Sequence, residues 1–237
     1  VDMAGVEAFV HGTTTIINAL TERKGAKTAL LTTKGFRDVL EIARMNRPDL
    51  FNLVFAKPRP FIPRYLRKEV TERIRYDGSV LTPLQTEDIR VAVDYFKAEG
   101  VEAIAVCLIN SYANDTHERQ VVELVKELWP EVFVTSSIEV TREWREYERT
   151  STVALNSYVM PAASSYINKL EGRLEETGIH CKKFIMQSNG GNTTFDQAKR
   201  TPINIVESGP VAGVYGAAIL GQLIGEKNVI AFDIGGT

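Results

Sequence analysis

The residues best able to do chemistry stand in short glycine-bearing polar stretches. Residues 229–232 form an apolar run that leads into Asp233-Ile234-Gly235-Gly236-Thr237. Adjacent glycines let backbone N–H groups approach an anionic oxygen, a Thr hydroxyl can donate to it, and an Asp can hold Mg²⁺ directly or through water. A β-turn after a buried interior strand has the same appearance, so this stretch alone does not choose between the two. Near the other end, His11-Gly12-Thr13-Thr14-Thr15 joins an apolar run to a helix expected to end near Gly25. Threonines and free N–H groups at a helix start can bind an anion or simply cap the helix. Gln187-Ser188-Asn189-Gly190-Gly191 and Ser208-Gly209-Pro210-Val211-Ala212-Gly213 complete the set. In open α/β sheets, turns that follow strands and precede helices lie at the edge that takes ligands.

These turns need elements to position them. Residues 27–33 read as a short buried strand, which Lys34-Gly35 turns into a helix over 36–44 with Phe36, Val39, Leu40 and Ala43 at helical spacing. Arg37 and Glu41, four apart, are expected to form a solvated ion pair. Residues 46–64 set Pro48, Pro58, Pro60 and Pro63 among Phe51, Phe55 and Phe61, a pattern that excludes one helix or an interior strand. An ordered excursion follows, packed as a subunit or domain contact or as a substrate lid. Residues 69–75 alternate into a hairpin at Asp77-Gly78. A helix over 86–99, a strand over 103–108, a helix over 117–128 and a strand over 132–136 then predict a parallel sheet with right-handed crossovers. The charge-dense residues 141–150 read as a solvated face opening a helix that stops before Pro161, and a second helix over 162–177 ends at Gly178. Residues 183–186 form a strand, 203–207 read as another strand exit, and a small-residue helix runs from 208 to 224. His117 and His180 are expected at the surface.

Composition excludes several classes. The 237 residues are 44% apolar and 24% charged, with 28 basic and 30 acidic side chains for a net charge of −2. Neither nucleic acid nor a membrane surface is implied. No run reaches the roughly 18 apolar residues of a spanning helix and no signal pattern opens the chain, so a cytoplasmic location is expected. Cys107 and Cys181 are expected to be free thiols. With three histidines and neither HExxH nor GxxxxGK[ST], a His-rich zinc site and a P-loop are excluded. The start without Met and the ending inside a motif read as a piece of a longer polypeptide.

The ordered set of His11-Gly12-Thr13-Thr14, Gly35-Phe36-Arg37-Asp38 and the three later glycine turns resembles the hydantoinase A / 5-oxoprolinase family, which includes ATP-binding subunits of acetone carboxylases. Glu72-Arg73-Ile74 with Asp77-Gly78, and Arg145-Glu146-Tyr147-Glu148-Arg149-Thr150-Ser151-Thr152, support it. The resemblance covers essentially the whole chain. It implies an α/β protein of the acetate and sugar kinase / heat-shock 70 / actin-like fold, with two α/β domains of mixed sheets flanked by helices, incomplete here. Residues 1–148 would be the N-terminal hydantoinase/oxoprolinase domain without its start, and residues 149–237 the beginning of the hydantoinase A domain without its end.

The implied activity is ATP-dependent opening of a cyclic amide such as a hydantoin, N-methylhydantoin or 5-oxoproline. Phosphorylating the carbonyl oxygen would make the amide open to water, and such transfer needs Mg²⁺, aligned N–H donors and cations. On this resemblance Asp233 is the catalytic candidate for Mg²⁺ or water positioning. Gly235, Gly236, Thr237, Gly190, Gly191, Ser208, Gly209, Thr13 and Thr14 are the nucleotide-binding candidates. His11 and Asp38 are candidate ligands for Zn²⁺ or another divalent metal at the substrate site; a hydrogen-bonded loop His and a helix-start Asp would look the same. A hydantoinase B-type partner subunit and an oligomer are also implied. Alternatives are the ATP-activating subunit of a ketone carboxylase and a non-catalytic actin-like protein. The chain by itself is expected to hydrolyse ATP poorly.

Overall fold

Apolar runs rich in β-branched residues make the central strands of this molecule, and amphipathic runs stopped near Gly100 and Pro130 make the helices that cover them. The computed structural model describes residues 5–46 and 49–234, to which all structural statements refer. Residues up to Gly25 and from Val159 onward form one compact unit, unit 1, and Ala26–Tyr158 form another, unit 2.

The chain opens in unit 1 with β1 (Ala8–His11) and α1 (Thr15–Thr21). Unit 2 follows with β2 (Thr28–Thr33), a single helical turn α2 (Val39–Ile42), β3 (Arg67–Val70), and the short strands β4 (Arg73–Ile74) and β5 (Val80–Thr82). It continues with α3 (Thr86–Ala98), β6 (Ala103–Cys107), α4 (Thr116–Leu128), β7 (Phe133–Ser136) and α5 (Ser137–Val140). A long helix, α6 (Glu146–Glu176), begins in unit 2 and ends in unit 1, where β8 (Lys182–Met186), β9 (Asn192–Thr194), α7 (Phe195–Arg200) and α8 (Ser208–Ile224) complete the described elements.

Unit 2 is built on a four-stranded sheet of order β3-β2-β6-β7, parallel throughout, as the alternation of strands and helices predicts. Every residue of β2 and β6 is buried, the pattern of central strands covered on both faces. Ile89, Val93 and Phe96 of α3 and Val121 and Val125 of α4 lie in the same core as Leu30, Leu31, Ile104 and Val106. Each such side chain contributes about 1.5–3 kcal/mol by leaving water. The β4–β5 pair is an antiparallel hairpin whose turn carries Gly78 at φ +83°. Unit 1 holds a mixed sheet, β1-β8-β9, with β1 parallel and β9 antiparallel to β8. The molecule is thus α/β, with sheets flanked by helices.

Several expectations are corrected. The helix expected over 36–44 is reduced to α2, because Ala43 sits at φ 52° and Met45 at φ 56°, which end the helical path. Glu41 pairs with Arg67 at 2.9 Å instead of with Arg37. Pro161 does not divide two helices: α6 runs through it for 31 residues, losing only the hydrogen bond that Pro cannot donate. The helix starts at Glu146, and within the charged run Arg149 and Thr150 are buried. Residues 202–205 form a 3-10 turn in place of a strand. Residues 229–232 form no strand; Ile230 is 91% and Phe232 84% exposed. A strand exists only by pairing, and no described strand pairs with this run. In the proline-rich excursion Phe61 packs edge-on against Tyr158 at 5.0 Å, whereas Phe51 is exposed.

Candidate functional site

In unit 1 the turn after β1 and the start of α8 are built as one piece. Ser208 is fully buried, and its hydroxyl accepts the Thr13 N–H at 3.0 Å and donates to the Thr13 carbonyl at 2.9 Å. A Cβ on Gly12 would stand 3.2 Å from the Ser208 carbonyl oxygen, and one on Gly209 would stand 3.2 Å from Thr14 Cγ2. Glycine at both positions therefore lets the two backbones meet. Thr14 occupies the N-cap of α1 without a side-chain cap bond; Thr13 Oγ1 accepts the Thr15 N–H instead, at 3.2 Å.

The Ser188–Gly191 turn joins the same helix. The Ser188 hydroxyl accepts the Glu207 N–H at 3.1 Å, and the Ser188 N–H donates to the Asn204 carbonyl at 2.8 Å. Gly190 lies at φ +86°, with Tyr215 so close that a Cβ would fall 2.5 Å from its hydroxyl. The structure thus gathers Thr13, Thr14, Gly190, Gly191, Ser208 and Gly209 around the first turns of α8. A 17-residue helix begins there, and its leading N–H groups lack intrahelical carbonyl partners, so this end favours an anionic group.

His11 closes β1. Its Nε2 lies 2.6 Å from the Tyr166 hydroxyl, and its ring stacks with those of Phe9 and Tyr166. Partial burial lowers its pKa, which favours the neutral imidazole. Tyr166 escaped the sequence reading because nothing local marks one exposed-looking Tyr on a long helix. Asp233 is exposed at the end of the described chain, and Gly235, Gly236 and Thr237 lie outside the described residues.

Asp38 lies in unit 2, just before α2. The Arg64 guanidinium takes both of its carboxylate oxygens, at 2.7 and 2.9 Å, and that hydrogen bonding holds its carboxyl below the usual carboxylate range. Arg37 and Arg67 add positive potential there. Among the described residues no three His, Cys, Asp or Glu side chains gather in a metal-holding group. A carboxylate already filled by an arginine fork and surrounded by further arginines does not fit a divalent cation, so no step is derived through one.

The carboxyl edge of the parallel sheet carries a second polar cluster. Glu72 is buried; it accepts the Thr33 hydroxyl, and His117 Nδ1 lies 2.8 Å from its other oxygen. Thr33 Oγ1 in turn accepts the Ile109 N–H at 2.9 Å. His117, expected at the surface, is therefore in the interior; His180 is exposed as expected. Glu118 is fully buried and accepts the Leu108 N–H at 2.8 Å, the Ser137 hydroxyl at 2.7 Å and the Ile138 N–H at 3.3 Å. Burial raises its pKa, and these donors oppose the rise. Arg149, also buried, donates to the carbonyls of Leu108 and Glu143. Cys107 and Cys181 are free thiols, and burial pushes the Cys107 thiol up. No helix of the described residues is long and apolar enough to cross a membrane.

The fold and these turns place the molecule among α/β proteins of actin-like architecture. Family models agree: residues 1–129 match the hydantoinase/oxoprolinase N-terminal region, and residues 149–237 match hydantoinase/oxoprolinase. The chain belongs to the hydantoinase/oxoprolinase family. It is 35% identical over 237 residues to caprolactamase subunit alpha of Pseudomonas jessenii, covering 99% of this chain and 34% of that one. The crystal structure of the ATP-dependent caprolactamase from the same organism superposes with a TM-score of 0.87 over 100% of this chain and 34% of that chain. Nucleotide-free acetone carboxylase gives 0.85 at 28% identity, over 95% and 33%. 5-Oxoprolinase 1 of Arabidopsis thaliana is 33% identical over 247 residues, 95% of this chain and 19% of the relative. The chain thus spans at most about a third of the length of these relatives.

Proposed function

We propose that the whole protein is an ATP-dependent hydrolase of cyclic amides. The observation that carries this is the welding of the His11–Thr14 turn to the start of α8 through Ser208 and Thr13, in a chain whose relatives include an ATP-dependent caprolactamase and a 5-oxoprolinase. In this reading Thr13, Thr14, Gly190, Gly191, Ser208 and Gly209 border the nucleotide phosphates, with the leading N–H groups of α8 as donors. Asp233 positions Mg²⁺ or water, and Gly235, Gly236 and Thr237 complete the phosphate turn. ATP, when bound, would supply the phosphoryl group that turns a poor amide electrophile into a good one. What the chain's own side chains contribute is placement: Ser208 fixes the Thr13 backbone, and Tyr215 fixes the turn at Gly190.

The reading extends to a division into domains 1–148 and 149–237, a cytoplasmic enzyme, and assembly with a hydantoinase B-type subunit. The last draws support from relatives named as subunits of larger enzymes. A second reading, the ATP-activating subunit of a ketone carboxylase, is favoured by the near-equal superposition on acetone carboxylase. Turnover by the full-length protein decides between them. ATP consumed with caprolactam, hydantoin or 5-oxoproline supports the hydrolase, ATP consumed only with acetone and bicarbonate supports the carboxylase, and stimulation by none of them supports a non-catalytic protein. Asp233→Ala is expected to abolish the stimulated activity.

A further inference from the structure

Asn189 is the one asparagine of the sequence that is followed by glycine. It is exposed, in the turn that leads from β8 to β9. Three hydrogen bonds shape that turn. The Gln187 N–H donates to the Gly191 carbonyl at 2.6 Å, the Gly190 N–H donates to the Gln187 carbonyl at 3.0 Å, and the Gly191 N–H donates to Asn189 Oδ1 at 2.9 Å.

The last of these bonds bears on reactivity. The side-chain amide carbon of an asparagine lies within intramolecular reach of the next residue's backbone nitrogen, and attack by that nitrogen closes a five-membered imide. Gly190 has no Cβ to crowd the approach. As the new bond forms, negative charge develops on Oδ1, and the Gly191 N–H is already aimed at that atom, as an oxyanion donor is. The Gly190 nitrogen is held by the Gln187 carbonyl, so attack waits on the opening of this single hydrogen bond, an event of low cost in an exposed turn.

We propose that Asn189 is a site of self-modification, where the turn converts its own neutral amide into a carboxylate. The Gly190 nitrogen gives its proton to solvent base and bonds to Asn189 Cγ; the Cγ–Nδ2 bond breaks, and ammonia leaves with a proton taken from water. Water then adds to one of the two imide carbonyls. Addition at Cγ breaks the new bond and leaves aspartate, whereas addition at the main-chain carbonyl carbon breaks the original peptide bond and leaves isoaspartate. Water is the sole co-reactant, and nothing is oxidised or reduced.

The two products meet this fold differently. Aspartate keeps an oxygen for the Gly191 N–H and adds only charge. Isoaspartate lengthens the backbone by one carbon and must shift Gly190, where even a Cβ would fall 2.5 Å from the Tyr215 hydroxyl, while Ser188 is tied to Glu207 and Asn204. Resting on the nucleotide reading above, either product sets an anion beside Gly190, Gly191 and the start of α8, and so weakens ATP binding.

The full-length protein is held in mildly alkaline buffer at physiological temperature, both native and unfolded in urea. Peptide mass spectrometry follows each asparagine, and an isoaspartate-specific methyltransferase labels the rearranged product. In the native protein Asn189 is expected to lose its amide ahead of every other asparagine, and Asn189→Gln to remove the label from this turn. An Asn189 amide that persists in the native protein while the unfolded chain loses it overturns the proposal, because the folded turn then blocks the attack; loss spread evenly over the asparagines overturns it too. None of these readouts involves ATP, so they stand or fall apart from the nucleotide reading. By calorimetry, Asn189→Asp is expected to raise the Kd for ATP about twofold to fivefold. Modification at Asn189 with an unchanged Kd, or with no ATP binding in the wild type, upholds the site and overturns its consequence for the nucleotide.

Discussion

The two units treat the polar groups at their turns in opposite ways. In unit 2, backbone donors at the exits of β6 and β7 are taken by the buried Glu118 carboxylate, and Thr33 at the end of β2 is taken by Glu72. The edge where open parallel sheets usually receive ligands is thereby filled with the chain's own acids. In unit 1, the turns at 11–14, 188–191 and 207–209 satisfy one another through neutral hydroxyls and close backbone contact, and among the described residues α8 has no side-chain cap bond at its start. A sheet edge whose donors are taken by internal carboxyl groups is a structural seam, whereas α8 opens at Glu207 without a side-chain cap bond, beside the hydroxyls and glycines of the two turns packed on it.

The sharpest way to break this contrast is Glu118→Ala. Removing the carboxyl group leaves the Leu108 and Ile138 N–H groups and the Ser137 hydroxyl without their acceptor in a dry site. A loss of about 3–5 kcal/mol is expected from urea denaturation. Ser208→Ala in unit 1 takes the hydroxyl partner from both the N–H and the carbonyl of Thr13, and about 1–3 kcal/mol is expected. If the two variants lose the same amount, Glu118 is not the hub that fills the sheet edge and the contrast fails.

Gly190→Ala probes unit 1 alone. The new methyl would meet Tyr215 at a distance no real Cβ tolerates and would sit at φ +86°. A cost of about 2 kcal/mol is expected, combining overpacking with left-handed strain. In the Gly190→Ala/Tyr215→Ala pair the clash is gone and the effects should fall short of additivity. Simple addition would mean that the turn and α8 are not held together by this contact.

Much of unit 2 was legible because local rules and tertiary structure agree there. β2, α3, β6, α4 and β7 fall within a residue or two of the expected spans, since Gly100 and Pro130 stop the helices where apolar periodicity runs out. Where an element depends on distant partners, sequence failed. Residues 229–232 have the composition of a strand and no described neighbour to pair with; α2 is cut short by backbone turns at Ala43 and Met45 that no residue type announces. His117 was misread although the signal existed: it precedes Val121 and Val125 by one and two helical turns, on the buried face. For the site, the glycine turns were found by type. That Gly12, Gly190 and Gly209 are required by contacts with Ser208, Tyr215 and Thr14 could be learned only from the fold.

The smallest expected effect separates the units by the sign of their pH response. Burial lowers the His11 pKa in unit 1, so the folded chain binds less proton than the unfolded chain below the ordinary histidine value of 6.5. The stability that neutral His11 contributes is present above that value and is lost as pH falls through the lowered folded pKa. Burial raises the Glu118 pKa in unit 2, so its contribution is present at pH below the ordinary carboxylate value and is lost as pH rises through the raised one. Urea midpoints measured from about pH 5 to about pH 8 should therefore fall on the acid side in wild type through His11, by less than about 1 kcal/mol given its partial exposure. His11→Gln should flatten that acid limb while leaving the Glu118-dependent limb in place, and Glu118→Gln should do the reverse. Tyr166→Phe removes the hydroxyl beside Nε2 without adding a charge and should keep the acid limb, because burial and not that hydrogen bond lowers the His11 pKa. An acid limb that survives in His11→Gln would place the titrating group elsewhere and remove the electrostatic half of the difference between the units.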